Sequence, residues 1–192
     1  MSEPSSDMQP LTPLGAAAPR VDNHGPFSVR EVTDTALASF AARLGREAAA
    51  EKALTSALEL QNLPGPGQAS SNSTFSVLWM GPDQWMVLAP HDSHEELAAI
   101  LKAKAGDDAS VTEQNDAWCR FDLTGSGLEL VFERLCPVNL RASGPAFTTR
   151  TTIDHLGCLL FVQSAHQVTV LGPRSSAASL HHALLTAMRA AL

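Results

Sequence analysis

His155 and Cys158 stand three residues apart, and His181 and His182 are adjacent. These are the residues first asked about metal chemistry. Zinc needs three or four converging ligands, usually from paired spacings such as CxxC. On a strand, a spacing of three sends side chains to opposite faces, and adjacent positions on a helix diverge. We therefore expect His155 at a sheet rim, His181 and His182 on a helix surface, and no metal site. Nucleophilic catalysis finds no better footing. No G-x-S-x-G elbow is present. Cys119 sits in a presumed strand with only Arg120 as a cationic neighbour, which describes an inert core thiol. Asp107 and Asp108 follow a helix, where acidic residues are commonly just solvated.

Nucleotide binding is not encoded either. "GSG" at 125–127 lacks a third glycine and the βαβ context, and there is no Gly-x-x-x-x-Gly-Lys-Ser/Thr loop. The start of the last helix, "GPRSSAAS", is a better anion site. Free backbone N–H groups, Ser175, Ser176 and Arg174 would converge there, although an ordinary capped helix start reads the same way. The tryptophans are Trp79, Trp85 and Trp118. Trp79 and Trp85 flank the turn Gly81-Pro82-Asp83-Gln84 and can share one side of a hairpin. With no acid, base or metal set beside them, they read as core or interface anchors.

The elements that must carry these residues come from patterning. The chain has 192 residues, 44% of them hydrophobic and 17% charged, enough for one domain with a real core. Its net charge is -7 and its lysines are only Lys52, Lys102 and Lys104, which argues against nucleic acid and anionic membranes as partners. Cys119, Cys136 and Cys158 are odd in number and widely spaced, so they do not form a disulfide framework, and free thiols fit the cytoplasm. No signal-peptide pattern and no membrane-spanning run are expected.

Residues 1–26 are rich in Ser, Pro, Ala and Gly and read as a flexible arm that orders on a partner. Strands are expected over 27–32, 36–45, 75–80 and 85–89, with β character over 110–125 and hairpins from 148 to 171. Helices are expected over 46–60, from Asp92 or Ser93 through about 105 with a capping box from Glu95 or Glu96, over 126–135, and from about 174 to 191. The segments from Phe75 and from Gly157 each run strand, turn, strand, Pro-containing link, amphipathic helix. The expected product is a single α+β domain over 27–192, built of two related halves, about 27–108 and 109–192. Each half would be an antiparallel sheet with helices on one face, as in duplicated ferredoxin-like βαββαβ units.

The stretches "WMGPDQWMVLAP", "VTEQNDAWCRFDLTG", "FERLCPVNL", "TRTTIDHLGCLLF" and "LGPRSSAASLHHALL" occur in that order. From about Phe27 onward the chain resembles the gamma subunit of heterotetrameric sarcosine oxidase, with Asn139 standing where an acidic residue is common in that family. The resemblance implies a fold like part of the folate-binding aminomethyltransferases. It implies a non-catalytic chain packed chiefly on the alpha subunit, with beta and delta chains in the same complex. That complex would demethylate sarcosine oxidatively to glycine, forming hydrogen peroxide and 5,10-methylenetetrahydrofolate or formaldehyde. FAD, FMN, NAD, tetrahydrofolate and zinc would then belong to partner subunits, and no catalytic, cofactor or metal residue to this chain. The alternative is a module that itself binds folate.

Overall fold

A computed structural model describes residues 9–192. Its strands are β1 (Val21–His24), β2 (Phe27–Val32), β3 (Thr35–Ala42), β4 (Ala69–Ser71), β5 (Ser76–Gly81), β6 (Gln84–Pro90), β7 (Ala109–Glu113), β8 (Trp118–Gly125), β9 (Phe147–Ile153), β10 (Leu156–Ser164) and β11 (Gln167–Pro173). Its helices are α1 (Glu47–Leu58), α2 (His91–His94), α3 (Leu97–Ala105), α4 (Leu128–Phe132) and α5 (Ala177–Ala190).

The strands form two antiparallel sheets, ordered β4-β5-β6-β3-β7 and β1-β2-β8-β11-β10-β9. In chain order the first sheet follows the path β3, α1, β5, β6, α3, β7. The second follows β8, α4, β9, β10, β11, α5, and is completed by β1 and β2 from far upstream. The sheets therefore interleave in sequence. The boundary read at 108/109 leaves β2 and β7 each in the sheet of the other half.

Alternation sorts the side chains into layers. In β6, Trp85, Val87 and Ala89 join Leu54, Leu58, Leu97 and Leu101 of α1 and α3, while Met86 and Leu88 turn the other way. In β10, Cys158, Leu160 and Val162 meet α4 and α5, while Leu159 and Phe161 turn towards Leu37, Leu78, Met86 and Leu88 of the first sheet. Each sheet thus has helices on its outer face and the other sheet on its inner face. The central strands are buried on both faces, which is why "WMVLA" and "CLLFV" lack polar alternation.

Several elements differ from the sequence reading. Strand β1 lies inside the stretch read as an arm, paired with β2 from Val21↔Arg30 to His24↔Phe27. The other arm residues that fall within 1–8 lie outside the described residues. The helix expected from Asp92 is two pieces, α2 and α3, and neither start has a side-chain cap hydrogen bond. Local polar residues suggested a capping box, but α2 begins on Pro90 and its backbone turns again at Glu96. Helix α4 is five residues long rather than ten, because Gly127 at φ 83 delays its start and Pro137 follows closely. A tight 3-10 turn, Arg174–Ser176, precedes α5. Strand β4 had no apolar pattern to announce it. The strand expected over 36–45 is β3.

The contact between the sheets predicts a contrast. Leu159 is fully buried in it, whereas Leu44 is 99% exposed on the loop before α1. Leu159→Ala should cost about 2–5 kcal/mol of unfolding free energy, and Leu44→Ala within about 0.5 kcal/mol of zero. Urea denaturation of both variants checks this, and equal losses would contradict the layering.

Candidate functional site

Trp79 and Trp85 are direct cross-strand partners in the β5–β6 hairpin, beside an irregularity between Trp79 and Gly81. The turn between them uses Asp83 at φ 56. Trp85 is buried, tilts against Phe40 at 6.4 Å, and donates its indole N–H to the Pro64 carbonyl at 3.0 Å. Trp79 is half-buried and lines an open hollow with Pro64, Pro66 and Pro82. Trp118 is half-buried, packs against the inter-sheet core, and donates to Gln114 Oε1 at 3.1 Å. The structure does not bring the three together into one site.

The thiols are buried or half-buried and kept protonated. Burial pushes Cys119 up to about 12 and Cys158 up to about 11, and also raises Cys136. Thiols held this high are poor nucleophiles. His155 is exposed in the β9–β10 turn, with Asp154 and His155 at φ 46 and 66, while Cys158 points into the core. Among the described residues, no group of three or more His, Cys, Asp or Glu is placed to hold a metal ion. Asp107 and Asp108 make long, exposed ion pairs with Arg43 and Arg46 at 3.9 and 3.6 Å.

The expected anion site has a different arrangement. Ser176 caps α5 without a side-chain hydrogen bond. The Arg174 guanidinium leaves the helix start and donates from Nη2 to the Leu11 carbonyl at 3.1 Å, with Asp116 Oδ1 at 3.9 Å from Nε. The Arg174 guanidinium is thus engaged with the upstream segment and with Asp116.

Polar groups that the sequence reading passed over hold the upstream segment in place. Glu31 is buried, and its carboxylate accepts the backbone N–H groups of Leu14 at 2.9 Å and Arg20 at 3.1 Å. Asp22 accepts two hydrogen bonds from Arg20, at 2.7 and 2.9 Å, and lies 3.0 Å from buried His181 Nε2. Leu14 packs on the outer core of the second sheet. Phe27, Val29 and Glu31 alternate in β2, so the pattern itself puts Glu31 on a buried face. A lone carboxylate there is a signal that some donor must cover it.

A second network lies on the inner face of the second sheet. Arg120 donates to Asp122 from Nε at 2.9 Å and Nη2 at 2.7 Å, and to Thr35 Oγ1 across to the first sheet at 2.9 Å. Asp122 Oδ1 also accepts from Thr169, which accepts from Gln163, both at 2.7 Å. Trp118, Arg120 and Thr35 line a cleft of about 280 Å³ roofed by residues of the 10–19 segment.

With this geometry in hand, the chain can be compared with known proteins. No family model matches it. Over 111 residues it is 33% identical to the sarcosine oxidase subunit gamma of Corynebacterium sp. (strain P-1), covering 56% of this chain and 53% of that protein. A similar subunit from Arthrobacter sp is 31% identical over 90 residues, 45% of this chain and 43% of the relative. The match spans about half the length of these curated relatives. A chain of the heterotetrameric sarcosine oxidase from Corynebacterium sp. U-96, in complex with pyrrole 2-carboxylate, superposes with TM-score 0.76 at 25% identity, covering 84% of this chain and 83% of that one. The chain is similar to sarcosine oxidase gamma subunits over about half its length. Its fold is also that of part of the glycine cleavage system aminomethyltransferase T from Bartonella henselae, with TM-score 0.65 at 15% identity over 83% of this chain and 45% of that one. Among the described residues, no helix is long and apolar enough to cross a membrane.

The link between β1 and α5 is sensitive to acid. Burial holds His181 below its ordinary 6.5, and the Asp22 carboxylate offsets only part of that. The Arg20 guanidinium holds Asp22 below its ordinary 3.8. Both groups bind fewer protons folded than unfolded, so each makes stability rise with pH. The His181 contribution is fully present above 6.5 and is lost as pH falls through its lower folded value. The Asp22 contribution is lost in the same sense below 3.8. The urea midpoint should fall between pH 7.5 and pH 5, and His181→Asn should flatten that fall. An unchanged slope in the variant would refute the assignment.

Proposed function

We propose that this chain is the non-catalytic gamma subunit of a heterotetrameric sarcosine oxidase. In this reading it packs chiefly on the alpha subunit, with beta and delta chains completing the complex. The complex oxidises sarcosine to glycine in the cytoplasm, with hydrogen peroxide and 5,10-methylenetetrahydrofolate or formaldehyde as further products. FAD, FMN, NAD, tetrahydrofolate and zinc are held by the other subunits. The observation that carries the reading is the superposition on a chain of that enzyme over more than four fifths of both chains. The state of the side chains agrees with it. The thiols are protonated, and the charges of Arg120, Asp122, Glu31 and Asp22 are spent on internal hydrogen bonds. Trp79, only half-buried, is the proposed anchor of the packing surface, and Trp85 and Trp118 anchor the core.

A second reading, a module that holds folate itself, is favoured by the likeness to aminomethyltransferase T. The roofed cleft of about 280 Å³ lies below the roughly 300–1,000 Å³ of pockets that enclose drug-sized ligands. It would take part of a folate and leave the remainder outside.

Two measurements separate the readings. Tagged and expressed in its native host, the chain should bring down a larger flavoprotein together with sarcosine-dependent peroxide formation. The chain alone should be colourless and inactive. Recovery as a lone monomer from host extract would sink the subunit reading. Calorimetric titration of the lone chain with tetrahydrofolate should give no heat beyond dilution, and saturable one-to-one binding would put the folate module first.

A further inference from the structure

The cleft beneath residues 10–19 carries a charge pattern that assembly does not explain. Its cationic lining is Arg120 and Arg174, and its one lining carboxylate is Asp116, whose side chain is 92% exposed. Asp122 meets the charge of Arg120 with two short hydrogen bonds. Arg174 is different. Among the described residues its guanidinium hydrogen-bonds a neutral carbonyl, Leu11 O at 3.1 Å, and meets charge only in a long ion pair with exposed Asp116 at 3.9 Å. Beside it stand the half-buried face of Trp118 and the apolar side chains of Val32 and Leu37. The roof is a proline-rich turn of fixed shape. Glu31 ties it down through the Leu14 and Arg20 N–H groups, and Arg174 ties it at Leu11.

From this geometry we propose that the cleft binds a small organic carboxylate with a flat apolar body. The carboxylate pairs with Arg174, whose planar fork matches it. The body lies against Trp118, beneath the 10–19 segment. A cleft of about 280 Å³ has room for a single ring with its acid group. This site is independent of the subunit role, so either can fail without the other.

The test uses the full chain, with benzoate as the probe and benzamide as its neutral match. The Trp118 indole N–H resonance, identified by its loss in Trp118→Phe, is followed during titration. Benzoate should shift it saturably while the Trp79 and Trp85 resonances stay still. Benzamide should bind about tenfold more weakly or worse, as expected for loss of a charge-assisted pair. Arg174→Gln should weaken benzoate by a similar factor, and Arg174→Lys by less. No saturable shift, equal binding of benzamide, or undiminished affinity in a folded Arg174→Gln would each overturn the proposal. The comparison of benzoate with benzamide on the unaltered chain decides the matter even if the variant does not fold.

Discussion

Everything else in this fold follows from the contact between its two sheets. Leu37, Leu78, Met86 and Leu88 on one side meet Leu159, Phe161 and Leu171 on the other. Apolar surface buried there is withdrawn from water on faces that would otherwise need polar residues. The contact fixes the register of the central strands, because a one-residue slip would exchange their two sets of side chains. It also forces the helices outward. With the inner faces taken, α1 and α3 can cover only the outside of the first sheet, and α4 and α5 only the outside of the second. At Gly172, α5 lies so close to β11 that a Cβ would meet the Leu180 side chain.

The polar networks occur where this contact ends. Beyond Leu171 and Phe161 on the inner face, β8 continues with Arg120 and Asp122, and the first sheet no longer covers them fully. A half-buried arginine and aspartate in one strand are stable there because each meets the other, and because Thr35 and Thr169 take up the remaining hydrogen bonds. On the outer face, α5 reaches β1 through His181 and Asp22, and the end of β2 carries Glu31. There Glu31, Asp22 and His181 are covered by the upstream segment. The two clusters solve the same problem on opposite faces of one sheet: polar residues at the margin of a core recruit donors from a distant part of the chain.

This is also why the sequence was legible in some places and opaque in others. Both tryptophan strands and the Cys158–Leu171 hairpin were plain, since an apolar run broken by a tight turn depends only on neighbours. Strand β3 was ambiguous from propensity, because its alanines favour helix, and it is a strand because β6 and β7 flank it. Strand β1, "VDNH", has almost no apolar content and is a strand only because β2 offers it an edge. The break between α2 and α3 was hidden by a plausible capping pattern. At the candidate site, the inertness of Cys119 could be read from its apolar surroundings. Glu31 could have been found by alternation. The reach of Arg174 to Leu11 spans 163 positions and has no local trace.

The long reach of these contacts bears on how the two sheets relate. Each follows the same order of strands and helices, yet β2 sits beside β8 with the whole first sheet intervening in sequence. Adding β2 to the second sheet therefore requires closing a loop from β2 to β8, an entropic cost that grows only slowly with length. What offsets that cost is local to β2: Phe27 and Val29 enter the outer core, and Glu31 gathers the segment before it. The upstream residues are thus part of the second sheet's structure. A chain lacking them would expose the Glu31 carboxylate and the edge of β2 together, and an uncovered edge invites pairing with another chain. The tether that roofs the small cleft is the same one that seals this edge, so the roof and the edge of the second sheet are held through one buried carboxylate.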